Sequence, residues 1–324
     1  MTTPATTDRS VDRSGPVDTA RPFGAHLVMT WWKPVLMTVV VVGALYLLQL
    51  LFLAVAAIVE VRMLGKDPAD ESLTPLTYLA VNLAIILLVP IALPLLRLMT
   101  GTPWRDVLAV GRRFSWRRLG RWTAVFAGLM AVANLVLPLV QPSPLSAVAV
   151  TGTTVALLAI VLLTTPLQAA AEEIVFRGVL TAAYGSWLRA ARPALAVGIS
   201  LSTVLFALVH TSADPWMLLN YLGLGASTAL MALLSRGLEA SIAFHAMNNV
   251  FAMGIGAVFA YGGGIAQDRS AGAGGSYMVL FLIAQAVGVL IVWRVEKRRA
   301  AVREAVAEGE QPSDASTPPR RPRS

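Results

Sequence analysis

The sequence predicts an all-α membrane protein, a polytopic bundle of about eight transmembrane helices with both termini in the cytoplasm. Three observations predict it. The 324-residue chain is 56% hydrophobic and only 14% charged, well below the roughly 25% of a soluble domain; its mean hydropathy is +0.68. Its apolar residues gather into eight stretches, most near the ~20 residues that cross a bilayer. Its basic residues divide unevenly between the connections. With eight crossings and the N-terminus inside, 23 Lys and Arg fall on the cytoplasmic side, and only Arg62, Lys66 and Arg269 outside. That asymmetry is what the positive-inside rule expects.

Taken in order, residues 1–33 are polar, of mixed charge and supplied with Ser, Thr and Pro. No apolar core follows the start closely, so no signal peptide is expected. His26 reads as an interfacial residue ahead of the first span. The first two spans are 35–59 and 76–96. The connection 97–121 carries seven arginines with Trp104, Phe114 and Trp116, which suits a cytoplasmic interface with anionic head groups. The third span is 122–140. The fourth covers 148–171 and runs on to 188. As one helix it would measure about 60 Å, twice the hydrocarbon thickness, and Pro166 is the expected break; two separate elements there would make nine spans. The remaining spans are 193–210, 216–234, 238–261 and 277–293. Gly262-Gly263-Gly264 and Gly272-Ala273-Gly274-Gly275 read as flexible outer loop; no strand-to-helix context makes them a phosphate cradle. Residues after Arg294 are charged, then rich in Pro and Ser, and read as a disordered tail. No internal repeat is present.

Composition also excludes function classes. The chain has no cysteine, so disulfides, thiolate metal sites and a cysteine nucleophile are ruled out. The net charge of +8 lies beside apolar spans, which is a topology signal and not a nucleic-acid footprint.

The chemistry is concentrated in a few polar residues inside apolar sequence. Glu172 and Glu173 are adjacent in a stretch that reads as membrane. A charged side chain there costs at least about 2.5 kcal/mol on insertion scales and marks a functional site by default. Arg177 lies four residues after Glu173, on the same helix face, so those two can pair. Glu172 is rotated about 100° away, towards the face of Phe176, and is left free for chemistry. His210 closes the fifth span. His245 lies inside the seventh, with Asn249 four residues on and Asn248 three residues on.

Segment 172–210 reads as a helical hairpin turning near 189–193. Its two arms are each about 25–27 Å long, which brings the glutamates and His210 to one depth. His245 is only about 10 Å along its own helix from Arg236. The depths then agree only if the hairpin protrudes into the cytoplasm, or if helices tilt or break.

These groups suit hydrolysis of a peptide bond. A glutamate kept from bulk water has a raised proton affinity and serves as a general base. Histidine holds a metal or polarises a carbonyl, and an asparagine amide donates to an oxyanion. Two His and a carboxylate with an open position suit Zn2+, but His-x-x-x-His is missing. Metal-free activation of water by Glu172 suits the residues equally.

Glu172-Glu173-x-x-x-Arg177, Phe206-x-x-x-His210 and His245-x-x-x-Asn249 resemble the three motifs of the CPBP (Abi) intramembrane protease family, which includes the CAAX prenyl endopeptidases. The likeness covers roughly 150–260. It implies Glu172 as the water-activating base, with Glu173 and Arg177 orienting the site. It implies that His210, His245 and Asn249 bind metal or stabilise the oxyanion, the metal set being His210, His245 and Glu172. Phe206 would pack beside His210, and Asn248 would support the site by hydrogen bonding.

On this reading the chain divides into a polar segment 1–33, an N-terminal transmembrane region 34–147, and a catalytic core 148–262. An outer loop with the last helix, 263–293, and a basic tail, 294–324, complete it. The expected partners are a membrane-associated protein or peptide substrate and the lipid bilayer, with no nucleic acid. A carrier that moves protons through the same buried groups is the alternative, although no broken-helix repeat supports it. A non-catalytic scaffold is a third. Asp214 and Asn220 read as capping or packing residues.

Overall fold

The computed structural model describes residues 17–141 and 147–309. The expected residues 1–16, and the Pro- and Ser-rich end from 310, lie outside them. Eight helices among the described residues are long and apolar enough to cross a membrane. Leu47, Leu50, Leu135, Leu139 and Leu163 are exposed on them. So large an apolar surface would be a liability in water, and is the solvated surface in lipid. The protein is an integral, multi-pass, all-helical membrane protein.

The first span is α1 (Lys33–Met63). The second is a broken pair, α2 (Pro75–Ile86) and α3 (Val89–Thr100). The break falls just ahead of Pro90, which has no N–H to donate. A short α4 (Trp104–Leu108) follows, then α5 (Trp116–Val140).

The fourth span is one continuous helical rod in three parts: α6 (Gly152–Glu173), a π-helical segment Ile174–Leu180, and α7 (Thr181–Gly185). Pro166 does not break it, contrary to expectation. A single proline is tolerated within a membrane helix when neighbours satisfy the freed groups. The irregularity comes eight residues later, as the wide π turn.

Helix α8 (Ala191–Leu208) returns antiparallel, then come α9 (Pro215–Ser235) and α10 (Glu239–Val258). The last is α11 (Val279–Gly309). It runs well past Arg294, where a disordered tail was expected. The stretch Glu296–Ala307 is rich in Ala, Glu, Lys and Arg, all strong helix formers. Arg299 and Arg118 both pair with Glu296, at 2.6 and 2.8 Å.

Helix α10 sits at the heart of the bundle and packs chiefly on α6 and α5. Its first turn is fixed from below. Glu239 is fully buried and accepts 2.6 Å hydrogen bonds from Arg112 Nη1 and Nη2, and one from the Ser115 N–H at 2.8 Å. A carboxylate at a helix N-terminus also meets the favourable end of the dipole. So Arg112 and Arg118, read as interfacial anchors, instead neutralise acids that hold helices together.

The hairpin of α7 and α8 is very close. A Cβ on Gly198 would collide with the Thr181 carbonyl oxygen, and one on Gly185 would stand 2.5 Å from that of Gly24. Only glycine permits that approach. The second contact is with the N-terminal segment, which is not merely polar and interfacial. Phe23, Ala25, His26 and Leu27 are all buried. His26 stacks on Phe23 with ring centroids 5.1 Å apart. Burial lowers its pKa from the ordinary 6.5 to about 4, so it is neutral. The hairpin therefore extends beyond the first turn of α10 and is covered by residues 17–30. That extension reconciles the shallow position of His245 with the long arm carrying the glutamates.

Candidate active site

Glu172 and Glu173 close α6, where the helix enters its π turn. Widening the turn frees backbone groups that must find partners. The Phe176 carbonyl takes the Thr181 N–H. It also accepts from Thr181 Oγ1 and Ser202 Oγ, each at 2.8 Å. The π turn is thus stapled by two hydroxyls, one of them from α8. It carries Arg177 inward, fully buried. Arg177 Nε stands 3.4 Å from Glu173 Oε2, and its guanidinium lies 4.2 Å from the centre of the Phe206 ring. The predicted i,i+4 pair is present, and Phe206 has a second role as a cation–π platform.

His245 lies between the two carboxylates. Its Nδ1 donates to Glu173 Oε1 at 2.8 Å, and its Nε2 is 3.3 Å from Glu172 Oε2. Glu172 is therefore not free, as helical geometry alone suggested. It shares an imidazole with its neighbour, a contact made across 72 residues of sequence. Arg177 balances Glu173, and Glu172 faces the His245 imidazole. A buried cluster of this kind is tolerable only when balanced. With Nδ1–H committed to Glu173, Nε2 faces Glu172 Oε2 without a direct hydrogen bond.

The two glutamates differ in what they face. Glu173 has no exposed surface, whereas Glu172 is 7% exposed and lines a cavity of about 640 Å³. The same cavity is lined by His210, Asn248 and Asn249. Hence the residues singled out from three separate motifs do come together. Asn249 Nδ2 donates to Gln168 Oε1 at 3.3 Å, and Asn248 Nδ2 donates to Asn249 Oδ1 at 3.1 Å. Asn248 therefore orients the Asn249 amide.

His210 follows the last turn of α8. Its Nδ1 donates to the Phe206 carbonyl at 2.6 Å, so in the neutral ring Nε2 is an acceptor. The next residue, Thr211, has φ +51°, a left-handed conformation that is strained for a β-branched residue. Phe206 touches both histidines, its ring centroid 4.6 Å from that of His210 and 5.7 Å from that of His245.

Three members of the site were not foreseen. Tyr221 stacks on His210 with centroids 4.1 Å apart. Arg269 Nη1 donates to the His210 carbonyl. Gln168 holds Asn249. Gln168 is four residues before Glu172, a helical spacing that could have found it. Tyr221 and Arg269 come from elements whose packing carries no local signal.

Asp214, expected to cap or pack, caps α9 by accepting from the Met217 N–H at 2.9 Å, and takes the Gly272 N–H at 3.0 Å. Those backbone donors, Met217 first, hold its carboxyl below the usual range. The Gly-rich loop is thereby clasped onto the segment carrying His210. Asn220 packs, with Oδ1 accepting from Gln285 Nε2 at 2.9 Å.

Of the residues read as a metal set, His245 Nε2 and Glu172 Oε2 face each other at 3.3 Å, and His210 lines the same cavity as Glu172. Both nitrogens of His245 are directed at carboxylates. Among the described residues no three His, Asp or Glu side chains are grouped to hold an ion.

Residues 152–251 match the family model described as "Type II CAAX prenyl endopeptidase Rce1-like". The resemblance read from the three motifs holds over that segment, about a third of the chain. A Bacillus subtilis (strain 168) protein named "Uncharacterized protein YyaK" is 28% identical over 163 residues, covering 48% of this chain and 53% of the relative. The chain thus spans about half the length of the curated relative it matches. No solved structure matches.

Proposed function

We propose that the protein is an intramembrane endopeptidase that hydrolyses a peptide bond of a membrane-associated protein or peptide. One observation carries the reading. A buried cluster of Glu172, Glu173, Arg177 and His245, in which Arg177 balances Glu173, borders a cavity shared with His210, Asn248 and Asn249, inside the segment that matches a peptidase family model.

The side chains suffice for the reaction. Glu172 Oε2 makes no protein hydrogen bond and takes a proton from the attacking water. The water oxygen bonds to the carbonyl carbon, and the electron pair moves to the carbonyl oxygen. The Asn249 amide, turned by Asn248 and Gln168, donates to that oxyanion. Glu172 then passes that proton to the leaving nitrogen as the oxyanion collapses and the C–N bond breaks. Glu173 fixes the His245 ring and its protonated Nδ1. Neutral His210 presents an acceptor at Nε2. It is suited to orienting the water, and donates to an oxyanion only when protonated.

The test is cleavage of membrane-anchored reporter peptides by purified protein in proteoliposomes, with the cut mapped by mass spectrometry. The expected result is a single new amine and carboxylate, formed by wild type and not by His245→Gln. Wild-type protein that cuts no reporter across a varied set would overturn the assignment.

A further inference from the structure

Every loop residue lining the cavity that ends at Glu172, His210 and Asn249 lies on one side of the bundle. The loop residues lining it come from the connection after α1 and from the loop before α11, with Glu71, Ser72, Gln267 and Arg269 at its rim. Those two loops are joined as one rim by paired backbone bonds, Leu73 N to Ile265 O at 2.8 Å and Ile265 N to Leu73 O at 3.0 Å. The other side is shut. Beneath His245, Glu239 is fully buried under Arg112, and residues 23–27 are buried against the hairpin, where Gly24 meets Gly185. No residue of the connections 101–115, 186–190 or 236–238 lines the cavity.

Charge says which side is which. The helix order puts Arg62, Lys66 and Arg269 on the rim side, three of the chain's 26 Lys and Arg. The closed side carries the seven of 97–121, with Arg189, Arg192, Arg236 and the end of α11. Basic connections are retained in the cytoplasm, so the rim faces outward.

We propose that this site is loaded from the extracytoplasmic face, and that its substrate is a polypeptide segment exposed there: an exported peptide or the outer segment of a membrane protein. The word substrate rests on the endopeptidase reading; the direction of access does not.

The chain's lack of cysteine makes single-cysteine labelling direct. Glu71→Cys at the rim, Arg189→Cys on the closed side and Ala252→Cys within the cavity are each treated in intact cells with a membrane-impermeant thiol reagent. Glu71 and Arg189 are exposed, and Ala252 lines the cavity. The expected pattern is labelling of Glu71→Cys and Ala252→Cys from outside, with Arg189→Cys labelled only after permeabilisation. The reverse pattern, or Ala252→Cys reached only from inside, overturns the proposal. Labelling is read without any activity, so a failed peptidase assay and a failed access assignment remain separate results. With an active preparation, reporter peptide added outside sealed right-side-out vesicles is cut. Cleavage only of peptide enclosed within them also overturns it.

Discussion

Arg177 offers the sharpest test of the buried cluster. It is fully buried, with its guanidinium 3.4 Å from Glu173 and stacked on Phe206. Arg177→Met keeps much of the stem volume but leaves the cluster one positive charge short. Removing one partner of a buried pair costs about 3–5 kcal/mol. For a chain of this size each kcal/mol moves the melting temperature by about 2 °C, so the single variant should melt about 6–10 °C lower. Glu173→Gln alone leaves the opposite imbalance. The double variant Arg177→Met/Glu173→Gln removes both charges of the pair and should melt above Arg177→Met. Thermal unfolding of the four proteins in detergent closes the cycle. Coupling of about 1–3 kcal/mol is expected for groups in one network, and losses that add to within about 0.5 kcal/mol would refute the cluster.

Other consequences follow from the packing around the site. Gly198→Ala forces a methyl group against the Thr181 carbonyl and should destabilise the hairpin by about 1–3 kcal/mol; an unchanged melting temperature would contradict the close contact. Docking of residues 17–30 should weaken in acid. His26 is ordinarily at 6.5 and is held at about 4 by burial, assisted by Arg21 and Arg236 and opposed by the nearby Asp106 backbone. The undocked segment therefore takes up a proton first. Docking is full above pH 6.5, and up to about 3 kcal/mol of it is lost as pH falls towards 4. Hydrogen exchange in this segment should rise across that window, and His26→Gln should flatten the dependence. Chelators should leave the cleavage rate unchanged, because Glu172 activates the water in this account; loss of activity restored by added Zn2+ would count against it.

Much of the architecture was legible because hydropathy and charge act locally. Eight apolar stretches became eight crossing helices, and the Glu173–Arg177 pair followed from helical spacing. The Asn248 and Asn249 positions relative to His245 followed likewise. What escaped depends on contacts between distant elements. Nothing near Glu172 announces that His245 Nε2 reaches it. Nothing in a polar segment around His26 announces burial beneath a hairpin, since that requires Gly24, Gly185 and Gly198 to meet. Pro166 drew attention as a break, whereas the π turn at Ile174–Leu180 contains no proline and is held by hydroxyls from Thr181 and Ser202.

The central claim is that Glu172 Oε2 activates water. Its direct measurement is the steady-state cleavage rate of Glu172→Gln against wild type in proteoliposomes, with thermal unfolding confirming that both are folded. Glutamine keeps the shape and removes the base. The account predicts a fall in kcat of about 10²–10⁴-fold with little change in KM. A folded Glu172→Gln protein that cleaves at the wild-type rate would contradict it.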